Sequence, residues 1–300
     1  MGEARREFKF LDVKPFSPNL GAEVYGVDLS SPLTESQFNE IRAAFLEYQV
    51  LFFKDQHEIA PEQHIEFGKR FGKLHAHPAA PTMKGHSEIF EIHATKDSKV
   101  ANGEFWHSDV SCDEEPPLGT ILQIHITPKC GGDTMFSNMY LAYETLSAPI
   151  KKMINGLTAL HSSEHIYTGR YADRGKSDTE ISCPEANHPV VRTHPDTGKK
   201  ALYVNRTFTK QINELTKFES DCVLAMLFEH AEQVNYQIRF RWSINDTAFW
   251  DNRCCMHHAI WDYWPEERKG HRVTIKGERP YLEATKEGST PENLRLSRQL

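Results

Sequence analysis

The sequence predicts an all-β core with flanking helices, arranged as a jelly roll. Two observations carry this. Short alternating or β-branched runs recur along the chain (YQVLFFKD, GTILQIHIT, HPVVRTH, KALYVN, QIRFRWS, DTAFWDN, HRVTIKG), and turn chemistry such as PKCGGD and HPDTGKK punctuates them. Many short strands at close spacing fold as a sandwich or barrel. Helical periodicity is confined to a few separate stretches. Near the start FKFLDVKPF alternates as a strand, and LTESQFNEIRAAFLEY then sets Phe38, Ile41, Ala44 and Phe45 on one helical face, with Thr34 as its cap. Further helices are expected over 61–71, 139–146 and 219–233. No internal repeat or low-complexity linker interrupts the 300 residues, so one domain is expected over 1–300, with polar, frayed ends at 1–8 and 286–300.

Composition narrows the function classes. A hydrophobic share of 39% and a charged share of 26% belong to a globular chain rather than a disordered or membrane one. The longest apolar runs fall well short of a bilayer span, and MGEARREFKF has no apolar stretch behind its basic residues, so a cytoplasmic location is expected. The formal charge of −7 argues against nucleic acid as a partner. Six cysteines lack CxxC spacing and two are adjacent, which suits neither a disulfide framework nor a zinc ribbon; they are expected to be reduced and mostly buried. Histidine stands out, at sixteen residues, and directs attention to metal chemistry.

His107 and Asp109 flank Ser108 in EFWHSDV. If this segment is a strand, positions i and i+2 face the same way and can share one ion. The pair is weak evidence, because roughly one His-x-Asp arises by chance in a chain of this composition. A second copy, His194-Pro195-Asp196, lies in HPDTGKK and reads as a hairpin turn. The run WDNRCCMHHAIWDY adds His257 and His258 near a strand end, and alternation sends them to opposite faces, so at most one joins a given site. Two histidines and one carboxylate on one face of an octahedral ion leave three positions open, the arrangement that suits iron(II) and oxygen chemistry rather than a closed zinc site.

Taken in order, W-H-S-D-V, G-G-D-T, W-D-N-R-x-x-x-H and R-x-x-H-R-x-T resemble the taurine dioxygenase family of iron(II)- and 2-oxoglutarate-dependent oxygenases. LGAEVYGVDLSSPL, VLFFKDQ and FGKLHAHP resemble it as well. The resemblance implies a double-stranded β-helix, with Fe(2+), 2-oxoglutarate as cosubstrate and dioxygen. It makes His257 the distal metal ligand, and assigns the far carboxylate of 2-oxoglutarate to Arg268, assisted by Thr134. Arginine suits that task because its planar fork meets a carboxylate at two points.

The same resemblance assigns His77 and Arg272 to the anionic group of the substrate, with Val110, Tyr167 and Phe208 around it. Tyr167 stands where the family type has Phe. Ala80 stands where it has tyrosine, and Gly103 where it has asparagine. Both latter changes enlarge the pocket and remove hydrogen-bond partners for a small aminosulfonate. The implied reaction hydroxylates a small anionic organic substrate, most simply a sulfonate, which then breaks down to sulfite and an aldehyde. Sulfate esters and aryloxyalkanoate carboxylates are the alternatives in the same chemistry. A jelly-roll binding protein with a degraded site, or a metal hydrolase using the same three ligands, are the alternatives outside it. A homo-oligomer, dimeric or tetrameric, is expected from the family.

Overall fold

The computed structural model describes residues 6–77, 80, 82–169 and 182–283. In chain order the strands are β1 (Asp12–Pro15), β2 (Ala22–Tyr25), β3 (Val50–Phe53), β4 (Thr82–Met83), β5 (His86–Ala94), β6 (Pro117–Ile126), β7 (Thr134–Asn138) and β8 (Thr158–Ser162). They continue as β9 (Glu185–Pro189), β10 (Val191–Thr193), β11 (Lys200–Leu202), β12 (Thr209–Ile212), β13 (Gln237–Phe240), β14 (Thr247–Asp251), β15 (Cys255–Ala259) and β16 (Arg268–Lys276). The helices are α1 (Glu35–Tyr48), α2 (Pro61–Lys69), α3 (Met139–Glu144), α4 (Ala148–Ile154), α5 (Glu164–Tyr167) and α6 (Lys217–Ala231).

A large sheet in the order β1-β2-β3-β14-β6-β16-β5-β4 faces a small sheet, β13-β7-β15, as in a jelly roll. Phe52, Phe136, Phe240 and Trp250 fill the space between them, with Phe52 and Phe240 stacked at 3.9 Å between ring centroids. The other face of the large sheet is covered by α1 and α2, where Phe45 stacks on Phe249. Alternating residues of the central strands thus meet apolar layers on both sides, which accounts for their near-continuous hydrophobic runs. Thr34 caps α1 as expected: its side chain accepts from the Gln37 amide and Gln37 reaches back. Among the described residues no helix is long and apolar enough to cross a membrane.

Several expectations change in detail. The run HPVVRTH is two strands, because β9 pairs with β8 whereas β10 turns into a hairpin with β11. Strand β5 was not foreseen, since acidic and histidine side chains on its open face hide its alternation. The short helices α4 and α5 span too few turns for a periodicity to register. All six cysteines are free, but only Cys112, Cys254 and Cys255 are buried; Cys130, Cys183 and Cys222 are exposed. The frayed ends expected at 1–8 and 286–300 lie almost wholly outside the described residues.

Candidate metal and cosubstrate site

His107, Asp109 and His257 come together between the two sheets, with one ligand atom from each lying within 4.8 Å of the others. Asp109 Oδ1 is 3.6 Å from His107 Nε2 and 3.9 Å from His257 Nε2. All three are buried. The geometry differs from a strand carrying both His107 and Asp109. His107 instead makes an isolated antiparallel bridge to His257, each donating its amide to the other's carbonyl at 3.0 and 2.8 Å. Asp109 sits where the chain turns away from that bridge, and Val110 takes a φ of 44°. A turn, rather than strand alternation, therefore points the carboxylate back toward the two rings.

Each of the three side chains is held in place. His107 Nδ1 donates to the Phe105 carbonyl at 2.7 Å, which leaves Nε2 as the electron-pair donor. Asp109 Oδ2 accepts from the Thr120 hydroxyl at 2.7 Å and Oδ1 from Arg272 at 2.8 Å. Asn252 ties this together: its Oδ1 accepts from the Asp109 amide and Trp250 Nε1, while its Nδ2 donates to Thr120. Burial acts to raise the Asp109 pKa, but Arg272 and then His257 outweigh it and hold the carboxyl well below the usual range. Burial, followed by His107, depresses His257 far below the ordinary imidazole value. An ionised carboxylate beside a neutral imidazole is the protonation state a divalent cation requires.

Strand β16 supplies two cations to the same pocket, since Arg268 and Arg272 are four residues apart and both point inward. Arg268 is buried rather than solvated. Its Nε donates to the Gly132 carbonyl at 3.1 Å, and its Nη2 has no partner among the described residues. Arg272 Nε is likewise buried without a partner. Unsatisfied buried guanidinium donors are costly, so both fit sites for anionic groups that come from outside the chain. Gly132 has a φ of 73°, and a side chain there would press on Arg268, which explains the glycine of GGDT. Thr134 lines the pocket on β7, where its hydroxyl accepts from Trp242 Nε1 at 2.9 Å. His271 does not add charge here: it faces away, toward His125 at 3.1 Å and Glu91.

His77, Val110, Tyr167 and Phe208 also line the pocket. His77 Nδ1 accepts from the Ala80 amide at 2.8 Å, so the neutral ring carries its proton on Nε2. Burial, then Arg272, pushes its pKa down to about 3. Ala80 packs with Phe90, Val110 and Phe208, and Gly103 lies against His107, where a Cβ would come within 3.3 Å of the ring. His258 projects to the other side of β15, against Trp106, as alternation requires.

The second His-x-Asp copy is structural. His194 Nε2 bonds Asp251 at 3.0 Å, Arg253 clamps both oxygens of Asp251, and Asp196 pairs with Arg253 in the β10–β11 turn. His194, Asp251 and Cys254 could in principle gather an ion. The Arg253 fork already occupies that carboxylate. Thr120, Asn252 and Trp242 were not singled out by sequence. Asn252 stood inside the WDNR block, whereas Thr120 and Trp242 carry no signal beyond ordinary strand residues.

The taurine catabolism dioxygenase TauD, TfdA family matches residues 12–274. An alpha-ketoglutarate-dependent sulfate ester dioxygenase of Pseudomonas putida is 34% identical over 277 residues, covering 90% of this chain and 91% of that protein. An alpha-ketoglutarate-dependent sulfonate dioxygenase of Saccharomyces cerevisiae is 32% identical over 284 residues, covering 90% of this chain and 68% of that protein. The crystal structure of a taurine dioxygenase from Burkholderia xenovorans superposes with a TM-score of 0.77 at 36% identity, over 91% of this chain and 93% of that one. The chain belongs to the TauD, TfdA family and is an oxidoreductase, a dioxygenase that uses Fe(2+), 2-oxoglutarate and dioxygen.

Proposed function

We propose that His107, Asp109 and His257 hold the iron, that Arg268 and Thr134 bind the far carboxylate of 2-oxoglutarate, and that the substrate is a small organic sulfonate. His77, Arg272, Val110, Tyr167 and Phe208 receive that substrate. One observation carries this reading: two buried guanidiniums, each with an N–H that has no partner among the described residues, share a pocket with a buried His-Asp-His cluster. Two anions are expected there, and the cosubstrate accounts for only one.

When bound, the iron supplies dioxygen activation coupled to decarboxylation of 2-oxoglutarate to succinate and carbon dioxide. The chain's residues do the rest. Arg268, fixed by Gly132, aligns the cosubstrate, and Arg272 with the Nε2 proton of His77 orients the sulfonate. Phe90, Val110 and Phe208 exclude water around the carbon to be hydroxylated. A hydroxyl placed on the carbon bearing the sulfonate gives an unstable adduct, which separates into an aldehyde and sulfite. Phe90, Val110 and Phe208 give the pocket an apolar wall that suits the chain of an alkyl sulfonate, while Asn102 and Glu104 also line it.

A panel of taurine, hexanesulfonate, hexyl sulfate and phenoxyacetate, read by succinate and by sulfite, tests this. Hexanesulfonate is expected to give succinate and sulfite in equal amounts. Succinate with hexyl sulfate alone would move the assignment to sulfate esters, and turnover of phenoxyacetate alone would move it to carboxylates.

A further inference from the structure

Val110 is a β-branched residue at a φ of 44°, immediately after Asp109 and fully inside the protein. Left-handed backbone is unfavourable for such a side chain and persists only where the surroundings impose it. Its own turn supplies one bond, from the Asp113 amide to the Val110 carbonyl at 3.0 Å. A further restraint comes from the next residue. Ser111 Oγ, wholly buried, lies 3.0 Å from both His161 Nδ1 and Asn205 Nδ2.

The hydrogen positions follow from the partners. Asn205 Oδ1 accepts from the Phe208 amide at 2.9 Å, so its Nδ2 must face Ser111 as a donor. The Ser111 hydroxyl then donates a hydrogen bond to His161 Nδ1, and His161 Nε2 faces the Thr209 hydroxyl at 3.4 Å. Thr209 in turn accepts from the Asn205 amide at 2.9 Å, which closes the network on itself. His161 is buried, and that burial keeps the ring neutral and able to accept. No member of the network lines the pocket. It nevertheless ties two pocket walls together, the Asp109–Val110 turn and Phe208.

We propose that Ser111, His161 and Asn205 are positioning residues that hold Val110 in its left-handed conformation, setting Val110 and Phe208 as pocket walls against the substrate. The kinetic part rests on the sulfonate reading above; the conformational part does not. In a crystal structure of Ser111→Ala loaded with manganese, Val110 is expected to leave the left-handed region. In solution the same variant is expected to raise KM for hexanesulfonate about tenfold, the effect of losing one well-placed hydrogen bond, and to leave 2-oxoglutarate affinity within about twofold of wild type. Ser111→Thr, which keeps the hydroxyl, is expected to restore KM.

Val110 remaining near its present φ in Ser111→Ala overturns the proposal, as does an unchanged KM or an equal loss of 2-oxoglutarate affinity. If Ser111→Ala does not fold, His161→Phe keeps the ring, removes the acceptor and is read in the same way. A wild-type enzyme inactive on hexanesulfonate, together with a φ that moves, counts against the substrate assignment and supports the positioning role.

Discussion

Asp109 has both carboxylate oxygens engaged, one by Thr120 and one by Arg272, so replacing it disturbs more than the metal. Asp109→Ala is expected to abolish succinate formation while leaving Arg272 buried beside two histidines, with loss of iron binding by equilibrium dialysis; full retention of turnover would refute the ligand assignment. The two arginines separate cleanly in expectation. Arg268→Leu removes the carboxylate partner and is expected to raise the KM for 2-oxoglutarate by one to two orders of magnitude, in line with about 1.5–3 kcal/mol for a charged hydrogen bond. Arg272→Leu is expected to act chiefly on the sulfonate, with a smaller effect on iron through Asp109. Steady-state kinetics with each reactant varied in turn distinguishes these. At this scale the blocks that follow the family pattern pointed to His107, His257 and Arg268, which the fold brings to one pocket. It was silent on Thr120, whose role depends on which strand lies beside it.

Strand β16 is the element on which most of the site depends, since it carries both arginines and pairs with β5 and β6. Its register shifts between Lys269 and Gly270, where a Cβ on Gly270 would lie 2.5 Å from the Gln123 carbonyl. Gly270→Ala must therefore push β16 off β6, and is expected to destabilise the protein by about 1–3 kcal/mol, as overpacking of a tight core does. Urea denaturation measures it, and an unchanged midpoint would show that the approach relaxes freely. The strand itself was legible from HRVTIKG, but its bulge was not, because a glycine between charged residues reads equally well as a turn. Likewise EFWHSDV suggested a strand through Asp109. The chain there turns, and only the long-range bridge of His107 to His257 reveals why the two side chains still converge.

Across the whole molecule, the histidine excess resolves into His107 and His257 of the His-Asp-His cluster and a larger set of buried rings elsewhere. His64 illustrates the second class: it is buried under the large sheet, and that burial, reinforced by His271 and His125, lowers its pKa to about 3. The unfolded chain takes up this proton below about pH 6.5, whereas the folded protein resists until about pH 3. The stability tied to a neutral His64 is thus complete above about pH 6.5 and is lost progressively as pH falls toward 3. Denaturant midpoints at pH 7.5 and 5.0 are expected to differ less in His64→Phe than in wild type; an equal difference would remove His64 from the account. The jelly roll was legible as a class because alternation and turns are local, while the facing of the small sheet against β16 depends on pairings far apart in sequence. That facing creates the pocket where the His-Asp-His cluster meets Arg268. The most direct test is anaerobic titration of the iron(II)-loaded protein with 2-oxoglutarate, followed by visible absorption. A weak metal-to-ligand charge-transfer band that saturates in wild type, is absent in Asp109→Ala and needs far more 2-oxoglutarate in Arg268→Leu is the predicted result; no band in the wild-type protein would contradict the assignment of this site.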